Sequence, residues 1–186
     1  MRTFAHDPQK QKGATFVEVL TALLIFSFGS LGAASLQITS KKAAYDAQQM
    51  LTATFLTNSI IERMRNNPGV IDTYASMNVG NGSIATEPTP NCTDATPCNA
   101  TQLALHDLWL WEQAIDGETM KSGATQVGGL VKPTGCINHD DGRVQIIVSW
   151  QGMDELSDAG TLAGGVSSCG DASAQRRQIV VNTFIQ

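Results

Sequence analysis

Charge is scarce in this chain of 186 residues: charged side chains make up 16%, against about a quarter in ordinary soluble domains. No charge at all falls between Val19 and Ser40, and no proline interrupts residues 14–67. No cysteine precedes Cys92. There is no low-complexity tract and no short repeat period, which sets aside fibrous and solenoid architectures. An excess of positive charge is also missing. The net charge of -5 excludes a general nucleic-acid binder, which needs a basic surface. No Gly-x-Ser-x-Gly, P-loop or dinucleotide fingerprint occurs. The expectation is a chain that is not an enzyme and carries no cofactor.

The charge-free run dominates what is present. Phe16 to Ile38 is 23 residues with Glu18 as the only charge, enough for a helix of roughly 34 Å that crosses a bilayer. Residues 1–13 carry Arg2, Lys10 and Lys12 against Asp7, a net of +2. The positive-inside rule then puts residues 1–13 in the cytoplasm and everything after about residue 40 outside. Three readings fit a basic segment before an apolar core: an ordinary secretory signal cut near Leu31-Gly32-Ala33-Ala34-Ser35, a plain uncleaved anchor, or a signal cut ahead of the core. Glu18 bears on the choice. A carboxylate at the head of an apolar helix is costly and calls for a partner, unless it snorkels at the interface.

The string Lys12-Gly13-Ala14-Thr15-Phe16-Val17-Glu18-Val19-Leu20 resembles the processing motif of type IV prepilins and type II secretion pseudopilins: a short basic leader, Gly before the cut, and Glu five residues after it. The resemblance implies cleavage between Gly13 and Ala14 by a prepilin peptidase and methylation of the new amino terminus at Ala14. Ala14 departs from the usual Phe there. The resemblance also implies that Glu18 sets register by pairing with the amino terminus of a neighbouring subunit, an arrangement that removes the cost of a lone buried carboxylate. Further short stretches, Ile61-Glu62-Arg63-Met64-Arg65-Asn66-Asn67-Pro68 and Asn99-Ala100-Thr101-Gln102-Leu103-Ala104 with Asp107, Leu108 and Trp111, resemble minor pilins of the PilV type.

Residues from about 15 to 66 predict one helix of roughly 78 Å. Beyond Ile38 an amphipathic stripe is expected from Ala44, Ala47, Leu51, Phe55, Leu56, Ile60, Ile61 and Met64. Asn66-Asn67-Pro68-Gly69 ends it, with Arg63 and Arg65 in the last turn. Gly29, Gly32 and Ala33 lie mid-span as candidates for close helix packing or for local flexibility.

The remainder, residues 70–186, carries Lys121, Lys132, Arg143, Arg176 and Arg177 against 13 acidic residues, a net of -8. That disfavours contact with DNA. Residues 70–99 read as a long loop. A second helix is expected from Thr101 to Ile115 with Asn99 as N-cap. Its Trp109 and Trp111 suit either core packing or a ligand face, with core packing favoured. Strands are expected at Gly129–Cys136, Arg143–Gln151 and Gln178–Gln186, with Asp141-Gly142 as a turn. Residues 152–177 match no pattern.

Cys92, Cys98, Cys136 and Cys169 all lie in the exported part, and an even count there argues for disulfides. Of three connectivities, Cys92–Cys98 and Cys136–Cys169 are favoured, the first closing a loop and the second tying sheet segments. Neither pair has the two-residue gap of a zinc site. His6 falls in the leader. His106 and Asp107 are helix neighbours that point apart, and His139-Asp140-Asp141 reads as a solvated turn rather than a metal site.

The organisation expected is thus a leader (1–13), a transmembrane or filament-core helix (14–40), an amphipathic helix (41–69) and a disulfide-bonded periplasmic head (70–186). The fold expected is α+β and pilin-like, with one long N-terminal helix packed on a small antiparallel sheet beside a second short helix. The resemblance implies a minor pilin that joins other minor pilins to prime a type IV pilus. Its partners would be the prepilin peptidase, other minor pilins, the major pilin, the inner-membrane assembly platform and a tip adhesin. It would reside in the bacterial inner membrane, then in the pilus. A pseudopilin of a type II secretion system has the same helix motif. From another class, an anchored or secreted periplasmic binding domain would use the 70–99 loop and the Trp109 and Trp111 helix.

Overall fold

The computed structural model describes residues 13–84, 86–93, 95–118, 121–123, 125–126 and 128–186. Arg2, His6, Asp7, Lys10 and Lys12, which carry the leader expectations, lie outside the described residues. The described residues fall into two compact units, one ending at Ala43 and the other running from Ala44 to Gln186.

Helix α1 (Phe16–Asn66) is continuous, as the absence of proline requires. In the first unit its apolar residues are exposed on every side. In the second unit one face is buried, and the expected stripe matches it only in its second half, Leu56, Ile60, Ile61 and Met64. Ala44, Ala47, Leu51 and Phe55 are exposed, and the covered row is Gln49, Ala53, Leu56, Thr57, Ile60, Ile61 and Met64. The two rows have the same three- and four-residue spacing. The buried one includes two polar members: Thr57 Oγ1 donates to the Ala53 carbonyl at 2.8 Å, while Gln49 Nε2 donates to the Gly129 carbonyl at 3.4 Å and its buried Oε1 accepts no bond among the described residues. Pro68 stops the helix and opens a 3-10 turn (Pro68–Val70) that leads into a single-turn helix α2 (Ile71–Tyr74).

The stretch 70–99 is therefore not one long loop. It holds α2 and then strand β1 (Ser76–Val79). Helix α3 (Ala100–Asp116) follows, close to its expected span. Asn99 caps it in a reciprocal box with Gln102, and Gly117 ends it in the left-handed conformation at φ 76°. That pairing satisfies two of the helix's orphan N–H groups. Two short strands, β2 (Lys121–Ser122) and β3 (Thr125–Gln126), form a separate hairpin without any sequence signal noted above.

Strands β4 (Thr134–Asp140), β5 (Arg143–Gln151) and β6 (Arg176–Phe184) complete an antiparallel sheet of order β1-β4-β5-β6. The expected strand at Gly129–Cys136 is displaced to Thr134–Asp140, because Pro133 cannot donate to a ladder and so precedes the strand. The last strand begins and ends two residues earlier than expected. Asp141 and Gly142 both have positive φ, 45° and 76°, as a two-residue hairpin turn demands. On the inner face, Ile137, Val144, Ile146, Val148 and Trp150 meet Leu56, Ile60, Met64, Leu108, Trp111 and Ile115 in one core. A long N-terminal helix packed on a four-stranded antiparallel sheet with a short helix is the pilin-like α+β architecture. The second unit is two layers around one core.

Candidate functional site

Gly13, Ala14 and Thr15 precede α1, and Glu18 sits in its first turn. Here the sequence carries a signal that was overlooked, Thr-x-x-Glu. The Glu18 N–H faces Thr15 Oγ1 at 3.4 Å, and the Thr15 N–H faces Glu18 Oε2 at 3.5 Å. This is a loose capping box. It places the Glu18 carboxylate at the positive end of the helix dipole, where an anion is favoured. Among the described residues no cation lies beside it.

The following turns are built for an apolar surrounding. Phe16, Leu24, Ile25, Phe26, Phe28, Leu31, Leu36 and Ile38 are all more than half exposed. The polar side chains between them return their hydroxyls to the helix. Thr21 donates to the Glu18 carbonyl at 2.9 Å, Ser27 to Leu23 at 2.8 Å, Ser30 to Ser27 at 3.0 Å and Thr39 to Ser35 at 3.2 Å. These four hydroxyls thus do not need water, which eases placing them in hydrocarbon. By length and composition the helix is able to cross a membrane. Gly29 and Gly32 have open space where a Cβ would stand, and Ala33 beside them is exposed.

In the head, buried polar residues lock the elements together. Arg63 at the end of α1 donates to Asp107 Oδ1 at 2.7 Å, and the Tyr74 hydroxyl donates to Asp107 Oδ2 at 2.7 Å. Asn67 donates to the Tyr74 oxygen and to the Ala100 carbonyl. Burial, reinforced by the Asp107 carboxylate, pushes the Tyr74 phenol above its ordinary range. Glu112, fully buried, accepts from the Gly80 and Ile84 N–H groups and the Ser83 hydroxyl, and Asp116 accepts from the Asn81 and Gly82 N–H groups. Two carboxylates one helical turn apart thus hold the turn after β1. Sequence reasoning missed this clamp, since carboxylates on a helix read as solvated.

Cys92 is bonded to Cys98 and Cys136 to Cys169. The second bridge fastens the segment between β5 and β6 against the outer sheet face, with Ile147 and Val180 beneath it. Buried Arg176 donates to Asp158 Oδ2 at 2.9 Å and to the carbonyls of Ser167, Cys169 and Gly170. Its guanidinium holds the Asp158 carboxyl below the usual carboxylate range.

The two tryptophans are separated by the fold: Trp109 is partly exposed with its ring centroid 5.6 Å from that of His106, and Trp111 enters the core. Trp111 is buried, donating to the Leu56 carbonyl at 3.0 Å. His106 lies 3.4 Å from Glu87. His139 Nδ1 is 2.6 Å from Asp72 Oδ1, and its Nε2 accepts from the Gly142 N–H. Among the described residues no cluster of three metal-binding side chains occurs.

The arrangement offers an apolar helix with one carboxylate at its head, joined to a cross-linked head. Residues 35–109 match the family model described as Tt1218-like, type IV pilin Tt1218. No curated protein and no solved structure gives a significant match. The matched stretch runs from the exposed apolar part of α1 to the second turn from the end of α3, and over it this chain is similar to the type IV pilins of the Tt1218-like family.

Proposed function

We propose that this chain is a minor pilin of the PilV type that helps prime assembly of a type IV pilus, in a tip complex with other minor pilins. The observation that carries this reading is α1. It starts immediately after Gly13-Ala14-Thr15, runs without a break to Asn66, and changes from exposed apolar residues to a core-forming face. In this reading a prepilin peptidase cuts between Gly13 and Ala14, and the new Ala14 terminus is methylated. The apolar half anchors the subunit in the inner membrane with the head in the periplasm, and later lies among other helices in the fibre. The small residues Gly29, Gly32 and Ala33 let those helices approach. Glu18 pairs with the amino terminus of a neighbour, which removes the cost of an isolated carboxylate in a water-free helix bundle. The role is structural, through the assembly platform, the major pilin, other minor pilins and a tip adhesin.

Mass spectrometry of the mature amino terminus, in membranes and in sheared fibres, tests the reading. A start at a methylated Ala14 is expected. A start near residues 33–36 would mean an ordinary signal and would end the assembly mechanism. Deletion is expected to abolish twitching motility and leave protein secretion intact. The reverse pattern would assign the chain to a type II secretion system.

A further inference from the structure

Among the described residues no strand covers the outer edge of β6. The sheet order leaves β6 at one end, and the register fixes which of its backbone groups are used. The Ile185 N–H donates to the Gly142 carbonyl, and the Gly152 N–H to the Gln175 carbonyl. Both pairs share the register of the β5–β6 ladder. In an antiparallel pair, hydrogen-bonded residues alternate. Ile179, Val181 and Thr183 therefore bond to β5, while Gln178, Val180, Asn182 and Phe184 turn their N–H and C=O groups outward. Among the described residues no backbone or side-chain group meets those outward amides.

Natural edges are blunted by charge, proline or a bulge. Residues 178–184 have none of these: the stretch Gln-Ile-Val-Val-Asn-Thr-Phe is uncharged, β-branched and regular in its pairing. Phe184 is 62% exposed at its end. Beside it lies a concavity of about 480 Å³, lined among others by Asn138, Gln145, Asn182 and Arg143. The Arg143 guanidinium sits 5.7 Å over the Phe184 ring. It has no carboxylate partner among the described residues, although this head carries 13 acidic residues. Inward of the edge, Ile179 and Val181 are only partly buried against the core.

We propose that β6 receives an added strand from a partner protein, an extended acidic segment with apolar side chains at alternate positions. Those apolar side chains cover Ile179 and Val181, and a carboxylate on the opposite row meets Arg143 beside Phe184. Main-chain bonds supply affinity and the alternating side chains supply selectivity. The proposal deepens the pilin reading by naming a partner surface, but its test does not depend on that reading.

The probe is a synthetic heptapeptide, Glu-Val-Thr-Val-Thr-Val-Thr, added to the full chain in detergent micelles, with a Lys-first version as control. The readout is amide hydrogen exchange by NMR. Without peptide, Ile179, Val181 and Thr183 are slow, and Gln178, Val180, Asn182 and Phe184 are fast. The Glu peptide is expected to slow the second set, and the Lys peptide to bind about two- to fivefold more weakly, as for an exposed charge pair. Arg143→Glu is expected to reverse that preference. Asn182→Pro removes an outward N–H and leaves the β5 ladder intact, so it is expected to abolish binding while the inner amides stay protected. Outward amides that remain fast at saturating Glu peptide, or a preference unchanged in Arg143→Glu, would overturn the proposal. Absence of the chain from sheared fibres would count against the pilin reading alone.

Discussion

Glu112 is a buried carboxylate with no cation in hydrogen-bonding contact among the described residues. It is tolerated because three donors from one turn converge on it, the arrangement that lets an ionised group sit out of water. Glu112→Ala would strand the Ile84 N–H group and leave the Gly80 N–H with only the Ser83 Oγ, 3.2 Å away. It is expected to lower stability by about 2–4 kcal/mol in urea denaturation, with Glu112→Gln costing less. Asp158 carries a pH dependence. Its folded-state pKa is held below the ordinary value by Arg176. Its contribution is therefore full above the unfolded pKa of about 4 and is lost as pH falls through the folded value. Melting curves of the wild type and Asp158→Asn should differ at neutral pH and converge in strong acid. At this scale the N-cap Asn99 was legible from its residue type ahead of an apolar-periodic stretch, while its partner Gln102 and the Thr15–Glu18 box were not read. Glu112 was not, because its donors lie 28–32 residues away in a turn that no periodicity announces.

Among elements, β5 was read with its correct ends because Val144, Ile146, Val148 and Trp150 alternate without interruption after Asp-Gly. Strand β4 was misplaced because Pro133 and Gly135 both read as breakers. Only the proline is one. Gly135 lies inside the strand, where a Cβ would collide with the Trp111 ring. Gly135→Ala is expected to destabilise by about 1–3 kcal/mol, the range for overpacking, and a double variant with Trp111→Leu should recover part of that loss. The first half of the α1 stripe was misread for a related reason: Leu51 and Phe55 satisfy the spacing as well as Gln49 and Ala53, and hydrophobicity alone chose between them, while Leu56, Ile60, Ile61 and Met64 were read correctly. The disulfides allow a graded test. The Cys136–Cys169 bridge spans 33 residues and Cys92–Cys98 spans 6. In the chain-entropy model these correspond to about 3.8 and 2.4 kcal/mol. Replacing both cysteines of a bridge by serine should therefore lower the melting temperature further for Cys136–Cys169.

For the whole molecule, the helix and fold class could be read because long, uninterrupted patterns survive any local ambiguity, while the segment between β5 and β6 is organised by Arg176 and a cross-link rather than by its own regularity. Glu18→Gln is expected to leave membrane insertion intact and to reduce the amount of chain in sheared fibres, measured by immunoblot of the two fractions. The order of elements also sets a timetable. The buried face of α1 is synthesised first, and Ile146, Val148 and Trp150, which cover it, follow roughly 90 residues later. At synthesis rates of about 5–20 residues per second, that face waits on the order of 5–20 seconds for its lid. Over that interval the nascent chain is sticky. A holding factor, or continued residence of Leu56, Ile60 and Met64 against an apolar surface, would be needed for as long as the ribosome takes to reach β5.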